Sequence, residues 1–258
     1  VTGRNFWTDS GGLAAGAHPG FSLDGSPAFT SEERAYIQTV WRIVAEKYAT
    51  LDVDVTTEDP GQAAYNRSGW GDGEYGAHVV VSSATNVAPQ VCSGSCAGIS
   101  LIGTFNDPLS YWGVPIDYLQ PSWVFTSGFS SMSSADAAYI TANVATHEIG
   151  HQLGLFHDGK GSTVYYDGAA NGNWIPVMGL STLKSVVQFD RGEYTGALNY
   201  QGSTPVAPQD DFAVMTTDDV PGGGLARRPD TVANTPGQAD NPSAPVLGPL
   251  DLGHLAQL

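Results

Sequence analysis

The chain of 258 residues is long enough for one large domain or two small ones. Its 26 Asp and Glu against 10 Lys and Arg leave a formal charge of −16, which repels phosphate backbones and argues against nucleic acid or an anionic membrane as partner. Hydrophobic residues at 41% can bury a core, charged ones are only 14%, and no stretch approaches the ~18 consecutive apolar residues of a bilayer span.

Residues 1–29, rich in Gly, Ser and Pro, read as an irregular arm. Thr30-Ser31-Glu32-Glu33 sets a hydroxyl cap before carboxylates that meet the positive end of a helix dipole. Ile37, Val40, Trp41, Val44 and Tyr48 then recur at steps of three and four, predicting a helix over about 31–48. Leu51, Val53 and Val55 alternate with Asp52, Asp54 and Thr56, the pattern of a half-buried strand that stops at Asp59-Pro60-Gly61. Further strands are predicted at His78–Ser82, Ile99–Phe105 and Trp123–Thr126. Cys92 and Cys96 are the only cysteines. They are too few for a zinc ribbon and wrongly spaced for a thioredoxin-type pair, so they read as a structural disulfide.

The next helix spans about Ser134 to Leu153, with Ala137, Ile140, Val144, Ala145 and Ile149 on its apolar side and Gly154 placed to close it. Beyond it, Asp190-Arg191-Gly192-Glu193 predicts a helix start reaching about Leu198, and Asp211–Met215 a shorter helix. Residues 216–258 hold six Pro and six Gly in 43 positions and read as a wandering tail.

The chemistry concentrates in His147-Glu148-Ile149-Gly150-His151-Gln152-Leu153-Gly154-Leu155-Phe156-His157-Asp158. On a helix, positions i and i+4 share a face, so His147 and His151 can present their imidazoles to one point. Gly154 permits a sharp turn that brings His157 back as a third ligand. Three neutral imidazoles leave the fourth corner of a tetrahedral zinc to water. Zinc acidifies that water, and Glu148, one residue after the first ligand, stands to take the proton. A helix that merely happens to carry two histidines would not also place a Glu, a Gly and a third His at these offsets in a chain with six histidines.

The run resembles the elongated zinc motif of the metzincin metallopeptidases, and Asp158 after the third histidine is most similar to the adamalysin/reprolysin branch and its secreted bacterial relatives. The resemblance covers roughly residues 28–215. It implies an α/β (α+β) catalytic unit with a twisted, mixed, mostly parallel sheet and the active-site helix in residues 1–154. Residues 155–258 would then form an irregular C-terminal part carrying the third ligand and the Met-turn. Trp174-Ile175-Pro176-Val177-Met178-Gly179 fits that turn. Met178 is implied as a hydrophobic floor under the histidines, and Asp158 as a brace between the third-histidine loop and the Met-turn. Gly98, Ile99, Ser100, Leu101 and Ile102 are the expected edge strand that pairs with an extended substrate, and Leu180 to Leu183 the expected wall of the neighbouring pocket. Leu180 stands where astacin- and serralysin-like enzymes have a tyrosine, so no fifth ligand is expected there.

These readings imply a secreted zinc endopeptidase acting on proteins or peptides, with Glu148 as general base and acid and a monomeric state. A zinc amidase acting on cell-wall or glycopeptide material, and a non-catalytic zinc-containing binding module, are the alternatives. Export also agrees with the disulfide and the Lys-poor composition; the chain opens at Val1 without a basic-then-apolar signal segment, which fits a removed leader or a fragment. The Asp210-Asp211 and Asp218-Asp219 pairs leave Ca2+ open as a second cofactor, though no EF-hand pattern is present.

Overall fold

A computed structural model describes residues 5–92, 94–106, 114, 116–180, 183–218 and 221–229. The chain divides into two compact units, Val1–Ala226 and Arg227–Leu258; the architecture below is that of the first. Most of the expected 216–258 tail, together with Asp219 and residues 181–182, lies outside the described residues.

The first unit is an α+β assembly. Helix α1 (Phe6–Asp9) breaks the expected irregularity of the arm: Asn5 caps it, and Trp7, 2% exposed, anchors it. Helix α2 (Ser31–Lys47) begins where the hydroxyl-then-carboxylate signal lies. The Thr30 hydroxyl accepts from the Glu33 amide at 3.2 Å, and the Glu33 carboxylate accepts from the Thr30 and Leu23 amides, both at 2.7 Å, and from the Ser22 hydroxyl at 3.1 Å. One carboxylate therefore fastens both the helix start and the preceding loop.

Strands β1 (Val79–Ser82), β2 (Gly98–Ile99) and β3 (Ser122–Phe125) form a sheet in the order β1-β3-β2. Short helix α3 (Ala88–Val91) precedes β2. The sheet is mixed but not mostly parallel: β1 runs parallel to β3 and β2 antiparallel to it. Central strand β3 is buried on both faces. Val124 faces the main core, while Trp123 and Phe125 face a second cluster with Trp7, Leu13 and Val87, as period-two alternation requires.

Two strand expectations are corrected. Leu51–Val55 forms no strand, although burial alternates there as the sequence implies: Leu51 is buried, Val53 and Val55 half-buried, and Asp52 and Asp54 exposed. Its backbone is satisfied otherwise, the Asp52 amide donating to the Ala226 carbonyl at 2.7 Å. The expected Ile99–Phe105 strand shrinks to Gly98–Ile99, because the Gly103 and Phe105 amides donate to the His151 and Gln152 carbonyls at 2.8 and 3.0 Å and leave the sheet.

Helix α4 (Ser134–Gln152), capped by Ser133, packs on β3 and on α2 and is buried along most of its length. Its polar interior residues are tied locally: the Tyr36 and Thr141 hydroxyls are 2.6 Å apart, and the Tyr48 hydroxyl donates to the Thr146 carbonyl at 2.9 Å.

After Gly154 the chain is more ordered than the expected irregular region. Strands β4 (His157–Lys160), β7 (Ala197–Gln201) and β8 (Thr204–Val206) form an antiparallel sheet, and β5 (Trp174–Pro176) pairs in parallel with β6 (Val186–Gln188). The predicted Asp190–Leu198 helix is absent. The Asp190 carboxylate accepts from the Gly192 amide, Gly192 takes φ 68°, and the chain turns into β7. The predicted Asp211–Met215 helix is present as α5 (Asp211–Thr216). One core crosses Gly154, joining Val44, Val124 and Val144 to Ile175, Met178 and Met215.

The amides of Thr30 and Leu23 hold the Glu33 carboxyl down to about 2. A carboxyl whose folded value is depressed contributes stability that is complete above its ordinary value and fades as pH falls towards the folded one. Hydrogen exchange of the 22–33 segment should therefore stay slow at neutral pH and lose protection selectively between about pH 4.5 and 2. Glu33→Gln should show the loss already at neutral pH.

Candidate metal centre

The centre is built by the way α4 ends. Gly154 adopts φ 94°, the Leu155 amide donates to the Gly150 carbonyl at 2.9 Å, and the Gly154 amide donates to the His151 carbonyl at 2.9 Å. This is a Schellman closure, which needs a left-handed residue at the position Gly154 occupies. The reversed chain enters β4 and returns His157 to face the helix.

His147, His151 and His157 thereby converge: a nitrogen from each lies within 4.8 Å of the others, and the Nε2 atoms of His151 and His157 are 3.0 Å apart. Two of the rings have a fixed orientation. His147 Nδ1 is 2.9 Å from the Val177 carbonyl and His151 Nδ1 is 2.8 Å from the Leu155 carbonyl. A carbonyl only accepts, so each Nδ1 carries the proton and each Nε2 keeps its lone pair for the centre. Burial above all holds His147 down to about 4 and His157 to about 3, and pushes His151 well below its ordinary value. The rings are thus neutral, the form that binds a metal. Imidazole nitrogens bonded at ~2.0–2.1 Å to one tetrahedral ion sit about 3.3 Å apart, close to the observed contact. Three neutral imidazoles with converging nitrogens, two of them with the lone pair committed to the centre, fit a divalent ion of the nitrogen-preferring kind, and this group could hold one.

The same three rings border a cavity of about 600 Å3 that also includes Glu148, Gly98 and Tyr165. Glu148 is 4% exposed, its Oε2 has no hydrogen-bond partner, and burial pushes the carboxyl well above its ordinary value. Met178, fully buried, packs against α4 between the positions of the two helical histidines. Its Sδ would be 2.6 Å from a Cβ added to Gly150, so the bare face of Gly150 between the two helical histidines is what seats the methionine.

The other expected site residues separate. Gly98, Ile99, Ser100 and Ile102 border the cavity, with β2 at the sheet edge, but Leu101 packs into the cluster around Trp7 and Trp123. Beyond Ile99 the segment is not strand, and the Ser100 hydroxyl lies 2.6 Å from that of Ser122. The Cys92–Cys96 disulfide is formed and flanks the cavity. Leu180 is on the cavity wall, whereas Leu183 is not among its residues. Asp158 ties its strand to the Met-turn through the main chain, its amide donating to the Met178 carbonyl at 2.8 Å. Its carboxylate turns away to accept from Asn199 Nδ2 at 2.7 Å, so the implied brace is not made by the side chain.

One residue of the cavity escaped the sequence reading, and one has a second role that it did not foresee. Tyr165 lies with its ring 4.2 Å from that of His157 and 6.2 Å from that of His147; eight positions past His157, in an aperiodic stretch, nothing marked it. Gly98 was read as part of the substrate-pairing edge strand, but its closeness to Glu148 was not. A Cβ there would come within 2.5 Å of Glu148 Oε1 and 2.8 Å of the Trp123 carbonyl, so β2 passes Glu148 at glycine distance.

No family model, curated protein or solved structure matches the chain. No helix among the described residues is long and apolar enough to cross a membrane.

Gly98→Ala should be costly, because the carbonyl it meets belongs to the central strand and cannot yield cheaply. A loss of about 1–3 kcal/mol is expected, as for other overpacked sites, read as a lowered Tm, with the three histidines still able to take up one equivalent of Zn2+ by calorimetry.

Proposed function

We propose that the chain is a zinc-dependent endopeptidase of metzincin type, similar to the adamalysin/reprolysin branch, acting on extended proteins or peptides. The observation that carries this reading is the meeting of three neutral imidazoles, two of them oriented by main-chain carbonyls, with a buried carboxylate whose Oε2 is unpartnered, in one cavity beside a sheet edge.

His147, His151 and His157 would hold the zinc, and Met178 supports them from below. When bound, zinc supplies Lewis acidity toward a carbonyl and toward water. Glu148 takes the proton of the attacking water at its free Oε2 and returns it to the departing amine, so no covalent enzyme intermediate is needed. The desolvation that lifts its proton affinity suits a group that must both accept and donate near neutral pH. The free edge of β2 offers main-chain hydrogen bonds to an extended substrate, with Ile99, Ser100 and Ile102 alongside. Tyr165 and Leu180, 41% and 45% exposed at the same cavity, give an aromatic and an aliphatic surface for a substrate side chain. Secretion follows the same reading, since a disulfide persists in oxidising compartments.

Glu148→Gln should retain one equivalent of zinc yet lose peptide hydrolysis by several orders of magnitude, because only the proton shuttle is removed. Mass-spectrometric mapping of cuts in a denatured protein mixture, with and without chelator, measures both halves. Chelator-sensitive cuts by the native chain that vanish in Glu148→Gln support the endopeptidase. Cleavage confined to cell-wall or glycopeptide amides would assign it to the amidase class, and zinc retention with no cleavage of any substrate would leave a binding module.

A further inference from the structure

The acidic side chains contribute a second convergence, separate from the histidines. Asp158 on β4, Asp190 after β6 and Asp211 at the start of α5 bring carboxylate oxygens within 4.8 Å of one another. This is not a solvated acidic surface, for Asp158 is 1% exposed and Asp211 is 0% exposed.

The hydrogen bonds show which oxygens lack a partner. Asp158 Oδ1 accepts from Asn199 Nδ2 at 2.7 Å, and Asp190 Oδ1 from the Gly192 amide. Asp211 accepts from Gln209 Nε2 at 2.8 Å and from the Asp190 amide at 3.0 Å. That leaves Asp158 Oδ2 and Asp190 Oδ2, both buried and without a hydrogen-bond partner. No basic side chain pairs with any of the three among the described residues, and Arg191, next along the chain, turns to Asp210 at 3.1 Å and Glu193 at 3.7 Å. Asp158 and Asp190 lie within hydrogen-bonding reach of each other, and buried carboxylate oxygens that face one another with neither donor nor counter-charge are costly unless a cation or a shared proton sits between them.

We propose that Asp158, Asp190 and Asp211 form a second cation site, taking calcium, behind the strand that carries His157. The donors are all oxygens, the set a hard cation prefers. Oxygens bound to one calcium at ~2.3–2.6 Å can lie up to about 5 Å apart, which accommodates the observed spacing. Magnesium, with shorter bonds and several retained waters, fits poorly in a site this dry. The Asp210-Asp211 pair of the sequence is thereby divided: Asp211 joins the site, while Asp210 caps α5 through the Ala213 amide at 3.0 Å and pairs with Arg191.

The test is a calcium chloride titration of the full, zinc-loaded chain followed by thermal unfolding, beside Asp190→Asn and Asp211→Asn. At a hundredfold excess over Kd, calcium should raise the wild-type Tm by about 5–10 °C, and neither variant should respond. No rise in the wild type would overturn the site and assign the cluster to shared protons. An equal rise in both variants would place the calcium elsewhere on the acidic surface and overturn it too. Should the variants not fold, terbium excited through the protein's tyrosines decides on the wild type alone, since the Tyr194 hydroxyl donates at 2.7 Å to the carbonyl of Gly159, the residue after Asp158. Sensitised emission that saturates at one equivalent and is displaced by calcium supports the site; its absence overturns it.

Discussion

The hydrogen bonds that His147 and His151 donate to the Val177 and Leu155 carbonyls set the terms for everything around them. An imidazole has two nitrogens, and a ring free to choose its tautomer would present a proton to the centre as readily as a lone pair. Committing each Nδ1 proton to a main-chain carbonyl removes that choice. It also dictates the surrounding fold. The Leu155 carbonyl exists at that spot only because the helix closes at Gly154, and the Val177 carbonyl only because the turn after β5 runs beneath α4. Met178 can follow in that turn because Gly150 has no side chain where the sulfur packs. The centre is thus held by backbone groups whose positions are set by two glycines and one parallel strand pair.

The charge of the chain has two destinations. Among the described residues most acidic side chains lie at the surface, but Glu33, Glu148, Asp158 and Asp211 are buried, and their surroundings differ. Glu33 is saturated with donors and stays ionised, a structural fastening for the arm. Glu148 borders the cavity and keeps an unpartnered oxygen, as the proposed proton exchange requires. Asp158 and Asp211 lie against Asp190 instead, where burial and the neighbouring carboxylates push Asp158 up to about 10 and Asp211 to about 7. The hydrogen-bond complement of each carboxylate, more than its charge, separates the clasp from the two carboxylate environments for which a proton carrier and a cation ligand are proposed.

What could be read in advance follows from how local each cause is. Helices α2 and α4 announce themselves because periodicity and caps lie within a few residues of what they build, and the histidine run was legible because an i, i+4 pair and a turn glycine fix three side chains at once. The strands after Gly154 were not, since none exceeds five residues and each is too short for alternation to register. Leu51–Val55 shows the opposite failure. Alternation there specifies which side chains face the core, but a ladder also needs a neighbouring strand, and Ala226 supplies a single carbonyl instead. The false helix at Asp190 arose because an Asp that accepts from the amide two residues on resembles a cap in sequence. The Asp158, Asp190 and Asp211 cluster was invisible because its members meet only through tertiary packing.

Strand β4 joins the two convergences, and the pleat explains how. Successive side chains on a strand point to opposite faces, so once His157 faces the metal cavity, Asp158 must face away, towards Asn199 and the carboxylates. A direct carboxylate brace onto the Met-turn is therefore unavailable to Asp158, and its amide performs that task while the carboxylate anchors the reverse side. His157 is the imidazole of the three most in need of such anchoring. It lies beyond the helix, its Nδ1 is buried without a hydrogen-bond partner, and no carbonyl orients its ring as Val177 and Leu155 orient the other two. Whatever steadies Asp158 from behind, together with Tyr165 against the ring in front, steadies the third imidazole. The position after the last histidine thus acts on the centre through the direction of the strand rather than through contact with it.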